Sequence, residues 1–212
     1  LEQGTDAAEV AMRLADVATF YFRIRGMLPE GIAWVKRAVA LTDEPSYRYN
    51  ITLASLGFNL WMVGALDEAE EVLLQARDLV SATTIRSHIA ATHFYLALVY
   101  WRRGPEYVTQ IIQNLETARE NFASWDDHIG LGVTGLAMAE VARAAGDSQT
   151  ALQLLLQARI DMDEWKYDWG AATTEWFIGE VYRHLGDEVR AAHHLAAGLN
   201  AYHETGDRLG MS

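Results

Sequence analysis

Five glycines punctuate this 212-residue chain at nearly even intervals: Gly26, Gly64, Gly104, Gly146 and Gly186, in steps of 38, 40, 42 and 40 residues. Each closes one apolar run and stands just ahead of another, as in FYFRIRG, LWMVGALDEAE, VARAAGD and VYRHLGD. A period of this length marks an array of helical hairpins, because one hairpin cannot bury its apolar face alone and must stack on the next. Ten helices are expected in five antiparallel pairs. The first members run roughly over 6–25, 46–63, 84–103, 127–145 and 168–185, and the second over 29–41, 66–80, 106–123, 148–162 and 188–204. Pro29 and Pro105 fall at the opening of second helices, where a missing N–H costs nothing, and Pro45 falls between pairs. No β-type alternation of useful length occurs. The expected fold is all-α, a solenoid of about five stacked hairpins.

Columns of residue size sharpen the register. Seven residues before each glycine stand Thr19, Gly57, Ala97, Ala139 and Gly179, all small. Four before it stand Phe22, Leu60, Tyr100, Ala142 and Tyr182, mostly large. Five after it stand Gly31, Ala69, Thr109, Ala151 and Ala191, small again. Twelve after it come Ala38, Ala76, Ala158 and Gly198, with Ala118 joining if two residues are inserted near Pro105. Small residues where helices cross let the backbones approach, and large ones fill the space beside them.

This pattern resembles tetratricopeptide repeats over the whole chain, with a period longer than the usual one, and the resemblance implies a right-handed superhelical solenoid. On that basis 1–212 reads as a single repeat domain, with repeats near 6–41, 46–80, 84–123, 127–162 and 168–204. A narrower likeness lies in GMLPEGIAWVKRAVAL, Gly26 to Leu41. Its Gly26, Glu30, Gly31, Trp34, Arg37 and Ala38 resemble the opening repeat of the helical arrays in bacterial signal-transduction ATPases. That class includes relatives of the maltose-regulon activator and LuxR-type regulators. The resemblance implies a regulatory parent protein with separate ATPase and DNA-reading modules. Gly130, Gly170 and Gly210 are also spaced by 40, so Gly210-Met211-Ser212 is expected to open a further repeat or a short cap over 205–212. The chain begins at Leu1 rather than a methionine, which reads as a piece of something longer.

Composition removes several classes of function. A net charge of −12, without a basic stripe or tail, argues against nucleic acid or an anionic membrane as partner. No apolar run approaches the length of a membrane span, and no secretion leader is visible. The absence of cysteine fits a reducing, cytoplasmic location.

Motifs that carry chemistry are weak here. Gly130-Leu-Gly132-Val-Thr-Gly135 spells a dinucleotide fingerprint, but NFASWDDH before it is no buried strand, so helix packing is the expected role. His184, His193, His194 and His203 gather near the C-terminus without a Cys or HExxH partner, and no metal is expected. Asp161, Asp163 and Glu164 lack the spacing of a calcium loop and read as a helix end. No Ser-centred elbow, P-loop or kinase signature occurs, so neither enzyme activity nor a cofactor is expected.

Recognition is the expected task. In tetratricopeptide arrays the first helix of each pair lines the concave groove, and carrying those positions over gives three columns. Ten before the glycine are Asp16, Ala54, Phe94, Leu136 and Trp176; six before it are Phe20, Phe58, Leu98, Glu140 and Glu180; three before it are Arg23, Trp61, Trp101, Arg143 and Arg183. Offsets three and four apart share one helical stripe. The expected partner face is therefore Phe20, Arg23, Phe58, Trp61, Phe94, Leu98, Trp101, Glu140, Arg143, Trp176, Glu180 and Arg183, unless these aromatics are ordinary core. Its ligand would be a protein segment or a small-molecule inducer. A Lys- and Asn-based carboxylate clamp is not matched, since only Lys36 and Lys166 are present. Self-association as a homodimer, with an idle groove, is the alternative.

Overall fold

Helix ends repeat a small set of chemical devices. The computed structural model describes residues 2–41, 46–79 and 86–205, the side chains of 2–6, Phe20, Arg86, Ser87, Glu204 and Thr205 excepted. Gly210-Met211-Ser212 lie outside the described residues. Among the latter the chain forms α1 (Glu2–Ile24), α2 (Leu28–Val39), α3 (Tyr47–Val63), α4 (Leu66–Asp78), α5 (Arg86–Arg103), α6 (Val108–Ala123), α7 (His128–Ala144), α8 (Ser148–Glu164), α9 (Asp168–His184) and α10 (Glu188–Thr205), with a 3₁₀ turn at Pro105–Tyr107. No strand occurs among the described residues.

Four of the five hairpin turns are the same turn. Gly26, Gly64, Gly146 and Gly186 sit at φ between 70° and 84°, a conformation that costs glycine little. Each donates its N–H three residues back, and the following residue donates five back, as in Gly146 to Arg143 O (3.0 Å) and Asp147 to Ala142 O (2.9 Å). This pair of bonds satisfies the last carbonyls of the first helix. Asp147 then caps α8 by accepting from the Thr150 N–H, and Asp187 does the same for Arg190 at the start of α10.

The third turn differs, and Pro105 is the reason. It has no N–H, so the second bond cannot form. Gly104 instead adopts φ 135° and the chain inserts the 3₁₀ turn before α6, which lengthens that repeat. The insertion displaces the whole second helix. Thr109, assigned above to a packing column, is exposed, and Ile111 two residues on is buried in its place.

The remaining small-residue columns sit at close approaches. Thr19, Gly57, Ala97, Ala139 and Gly179 are all buried, as are Ala38, Ala76, Ala118, Ala158 and Gly198. A Cβ at Gly57 would collide with the Leu73 side chain, and one at Gly179 would stand 2.6 Å from Leu195 Cγ and 3.1 Å from its backbone N. Gly130, Gly132 and Gly135 lie inside α7, against Phe122, Met162 and Ala158. The fingerprint they spell is thus a helix-packing surface.

The chain divides into two compact units, residues 1–114 and 115–212. In the first, α1 packs on α2 and α3, α3 on α4 and α5, α2 on α3, and α4 on α5. First helices therefore stack on first helices. The core is built from fully buried residues such as Met12, Val35, Leu53, Leu60, Leu73 and Leu96. In the second unit α7 packs on α8 and α9, α8 on α9, and α9 on α10, around Leu136, Leu155, Met162, Ile178 and Val181. No helix among the described residues is long and apolar enough to cross a membrane.

Candidate functional site

In the first unit the expected face is a layer of stacked rings. Phe58 and Trp61, one helical turn apart on α3, stack at 5.6 Å between centroids with planes 18° apart. Phe58 also stacks on Tyr95 of α5 at 4.7 Å, and Phe94 meets Tyr95 at 6.0 Å. The Arg23 guanidinium of α1 reaches to 6.0 Å from the Phe58 ring. Trp61 is half-buried, and its indole N–H donates to the Leu98 carbonyl at 3.0 Å. Arg102 covers its ring at 5.7 Å and donates to its carbonyl at 2.7 Å. A Trp whose one donor is taken and whose face carries a cation is fixed in place.

Trp101 is placed differently. It is 42% exposed at the C-terminal end of α5, while Leu98 one turn back is half-buried. Trp61 and Trp101, column equivalents, therefore differ in access. The side chain of Phe20 lies outside the described residues. Ala54 in the innermost column is buried. Asp16, half-buried, accepts from the Thr52 hydroxyl at 3.1 Å; burial raises its pKa, against the opposing effects of that bond and of Arg48.

In the second unit the equivalent positions hold two Glu–Arg ion pairs of the same i, i+3 spacing. Arg143 donates through Nε and Nη2 to the two oxygens of Glu140, at 2.9 and 2.8 Å. Arg183 donates through Nη2 to Glu180 at 2.5 Å. The pairs lie close together: Arg143 Nη1 is 3.5 Å from His184 Nε2 on α9. Hydrogen bonding to Glu140 raises the Arg143 pKa, partly opposed by desolvation and helped by the charges of Glu140 and Glu180. Trp176, one turn ahead of Glu180, is 43% exposed. Leu136, its column equivalent on α7, belongs to the core.

Several partners escaped the sequence reading. Tyr95 and Arg102 flank the expected columns by one residue, on the side of the stripe that meets α3. Glu175 accepts from Arg159 at 2.9 Å and pairs with His194 Nδ1 at 2.7 Å, so it ties α8, α9 and α10 together. His194 also stacks on Tyr182 at 5.4 Å, which accounts for it structurally. No group of three His, Cys, Asp or Glu able to hold a metal ion occurs among the described residues. Asp161, Asp163 and Glu164 close α8, Asp163 pairing with Arg159 and Asp161 lying 3.5 Å from His128.

No protein-family model and no curated protein matches this chain. Solved structures do. BtubC from P. vanneervenii has a TM-score of 0.69 at 14% identity, over 97% of this chain and 92% of its own. A Rap protein complexed with competence and sporulation factor has a TM-score of 0.81 at 11% identity, over 92% of this chain and 54% of its own. The nearly identical TPR-like repeats of a kinesin light chain candidate from Podosopora anserina give a TM-score of 0.67 at 17% identity, over 92% of this chain and 97% of theirs. At such identities the likeness concerns architecture: the chain has the all-α fold of tetratricopeptide-like repeat arrays.

Proposed function

We propose that this chain is a protein-interaction module whose first helices bind an extended peptide, an amphipathic helix or a small anionic inducer. The observation that carries the reading is the doubled Glu–Arg pair of the second unit, Glu140–Arg143 beside Glu180–Arg183, next to the half-exposed ring of Trp176. A guanidinium held by a neighbouring carboxylate is oriented in advance, and keeps donors for an incoming carboxylate or carbonyl. An accessible Trp beside it supplies flat apolar area, the combination found at binding hot spots. In the first unit Arg23, Phe58, Phe94, Leu98 and Trp101 occupy the equivalent columns and form a mainly aromatic surface of their own, Trp101 being its accessible member. The Rap structure, an array of the same fold solved with a factor bound, supports peptide recognition by analogy.

We further infer a larger bacterial regulator of the ATPase-linked type as parent, from the Gly26–Leu41 likeness. In the hairpin Gly31 and Ala38 of that segment serve packing, whereas Trp34 and Arg37 are exposed. The test is a displayed library of extended peptides selected on the chain. Selected peptides should lose about 2 kcal/mol or more of affinity to Arg143→Ala or to Trp101→Ala, according to the unit they bind, if these are hot spots, and nothing to Arg77→Ala on an exposed face of α4. Equal losses in all three variants would remove the assignment.

A further inference from the structure

Helix α1 is apolar on two sides. Ala8, Met12, Ala15 and Thr19 are buried within the first unit. Val10, Leu14, Val17, Tyr21 and Ile24 face outward instead, 52%, 63%, 74%, 58% and 68% exposed. Their spacing of four, three, four and three is that of a coiled-coil seam, and exposed Ala7 continues it. Scattered surface hydrophobes need no explanation, but a contiguous seam does. Beside it lies a shallow cavity of about 350 Å³, lined by Leu14 of α1 and by Trp34, Arg37 and Leu41 of the second half of the hairpin.

We propose that this seam is a homodimer interface, with α1 of one copy lying antiparallel on α1 of another. A two-fold axis between Leu14 and Val17 sets Leu14 opposite the second copy's Val17, Val10 opposite its Tyr21, and Ala7 opposite its Ile24. One axis thus satisfies all six positions, and each larger side chain meets a smaller one. A parallel arrangement would set Tyr21 against Tyr21 and Ala7 against Ala7, which packs unevenly.

Area and charge favour a second copy as the occupant. With Trp34 and Leu41, the exposed apolar surface of the seam is on the order of 800 Å², one partner's share of a standard interface. The chain carries −12 overall, yet over residues 1–41 five cations (Arg13, Arg23, Arg25, Lys36, Arg37) balance five anions (Glu2, Asp6, Glu9, Asp16, Glu30). Two acidic copies therefore meet here with the least long-range repulsion.

Light scattering across a concentration series tests this, independently of peptide binding, since none of these residues belongs to the binding face. The chain should show twice its monomer mass, and Leu14→Glu or Val17→Glu should raise the dissociation constant at least tenfold with unchanged helical circular dichroism. Val189→Glu, at an exposed site on α10, should leave it unaltered. The chain has no cysteine, so introduced ones report register directly. Leu14→Cys mixed with Val17→Cys should form a mixed disulfide dimer faster than either variant alone. A chain monomeric at every concentration, a dimer that survives both Glu substitutions, or preferential pairing of Leu14→Cys with itself would each overturn the proposal.

Discussion

The two units present the same columns and fill them with opposite chemistry. Six and three residues before the turn glycine, the first unit carries Phe58 with Trp61 and Leu98 with Trp101, whereas the second carries Glu140 with Arg143 and Glu180 with Arg183. The backbone is indifferent to the exchange. One residue earlier in each repeat the side chain stays small and buried in both units, from Thr19 to Gly179. What the fold demands is close approach at the helix crossing; the inner stripe is left to other pressures. The first unit holds its stripe by ring stacking and by the Trp61 bond to Leu98, the second by ion pairs within one helix.

If the crossing column carries the fold and the stripe does not, overpacking should be the costliest change in either unit. Gly57→Leu and Gly179→Leu are each expected to destabilise by about 3 kcal/mol. Gly179→Leu should be the worse, because its new Cβ would crowd the Leu195 backbone as well as its side chain. Thermal melts give the magnitude and hydrogen exchange shows which unit opens. Loss of protection in the unit not mutated would end the picture of separately packed halves.

On the stripe itself the two chemistries should part company. Trp61→Phe keeps the stacking and removes the N–H to Leu98, at a cost of about 1 kcal/mol. Glu140→Gln releases a part-exposed ion pair and should cost only about 0.5 kcal/mol. Chemical denaturation of both variants, with and without added salt, reads the difference. Salt should narrow the gap between Glu140→Gln and the parent chain and leave Trp61→Phe unaffected.

The smallest effect expected is on pH dependence, and its sign differs between the units. His88, packed on Tyr47, has its pKa lowered from 6.5 by burial and by the charge of Arg48. Its contribution is complete above 6.5 and is lost as pH falls through the lowered value. Desolvation lowers the His128 pKa, but the surrounding carboxylates of Asp161, Asp126 and Glu164 outweigh it and raise it. Its contribution is complete below 6.5 and is lost as pH rises through the raised value. Exchange protection near the start of α5 should therefore fall on acidification, and protection at the α7–α8 contact should fall on alkalinisation. His88→Phe and His128→Phe should each flatten one of the two profiles; a common sign in both regions would refute the contrast.

Much of this was legible in residue order because its causes are local. A glycine every forty residues, small residues seven before and twelve after it, and proline at helix starts each act within a turn or two, so ten helices could be placed to within a few residues. Even the long third repeat was marked by Pro105, since a residue without an N–H cannot close the common turn. That Ile111 rather than Thr109 then packs follows from carrying the insertion through all of α6. Other features depend on which helix lies next to which. Trp61 is fixed and Trp101 accessible because a carbonyl of α5 and the Arg102 side chain reach the first, 37 and 41 residues away along the chain. Glu175 links three helices through Arg159 and His194, which share no column of the repeat. The outward seam of α1 looks, as a pattern, like any apolar helix face; only packing shows that its other face already fills the core. Period and residue size alone thus determined the hairpins and their stacking register, through short-range sterics and backbone hydrogen bonding. Tertiary structure decided which rings and charges are held and which stay accessible, because that depends on partners supplied by distant segments.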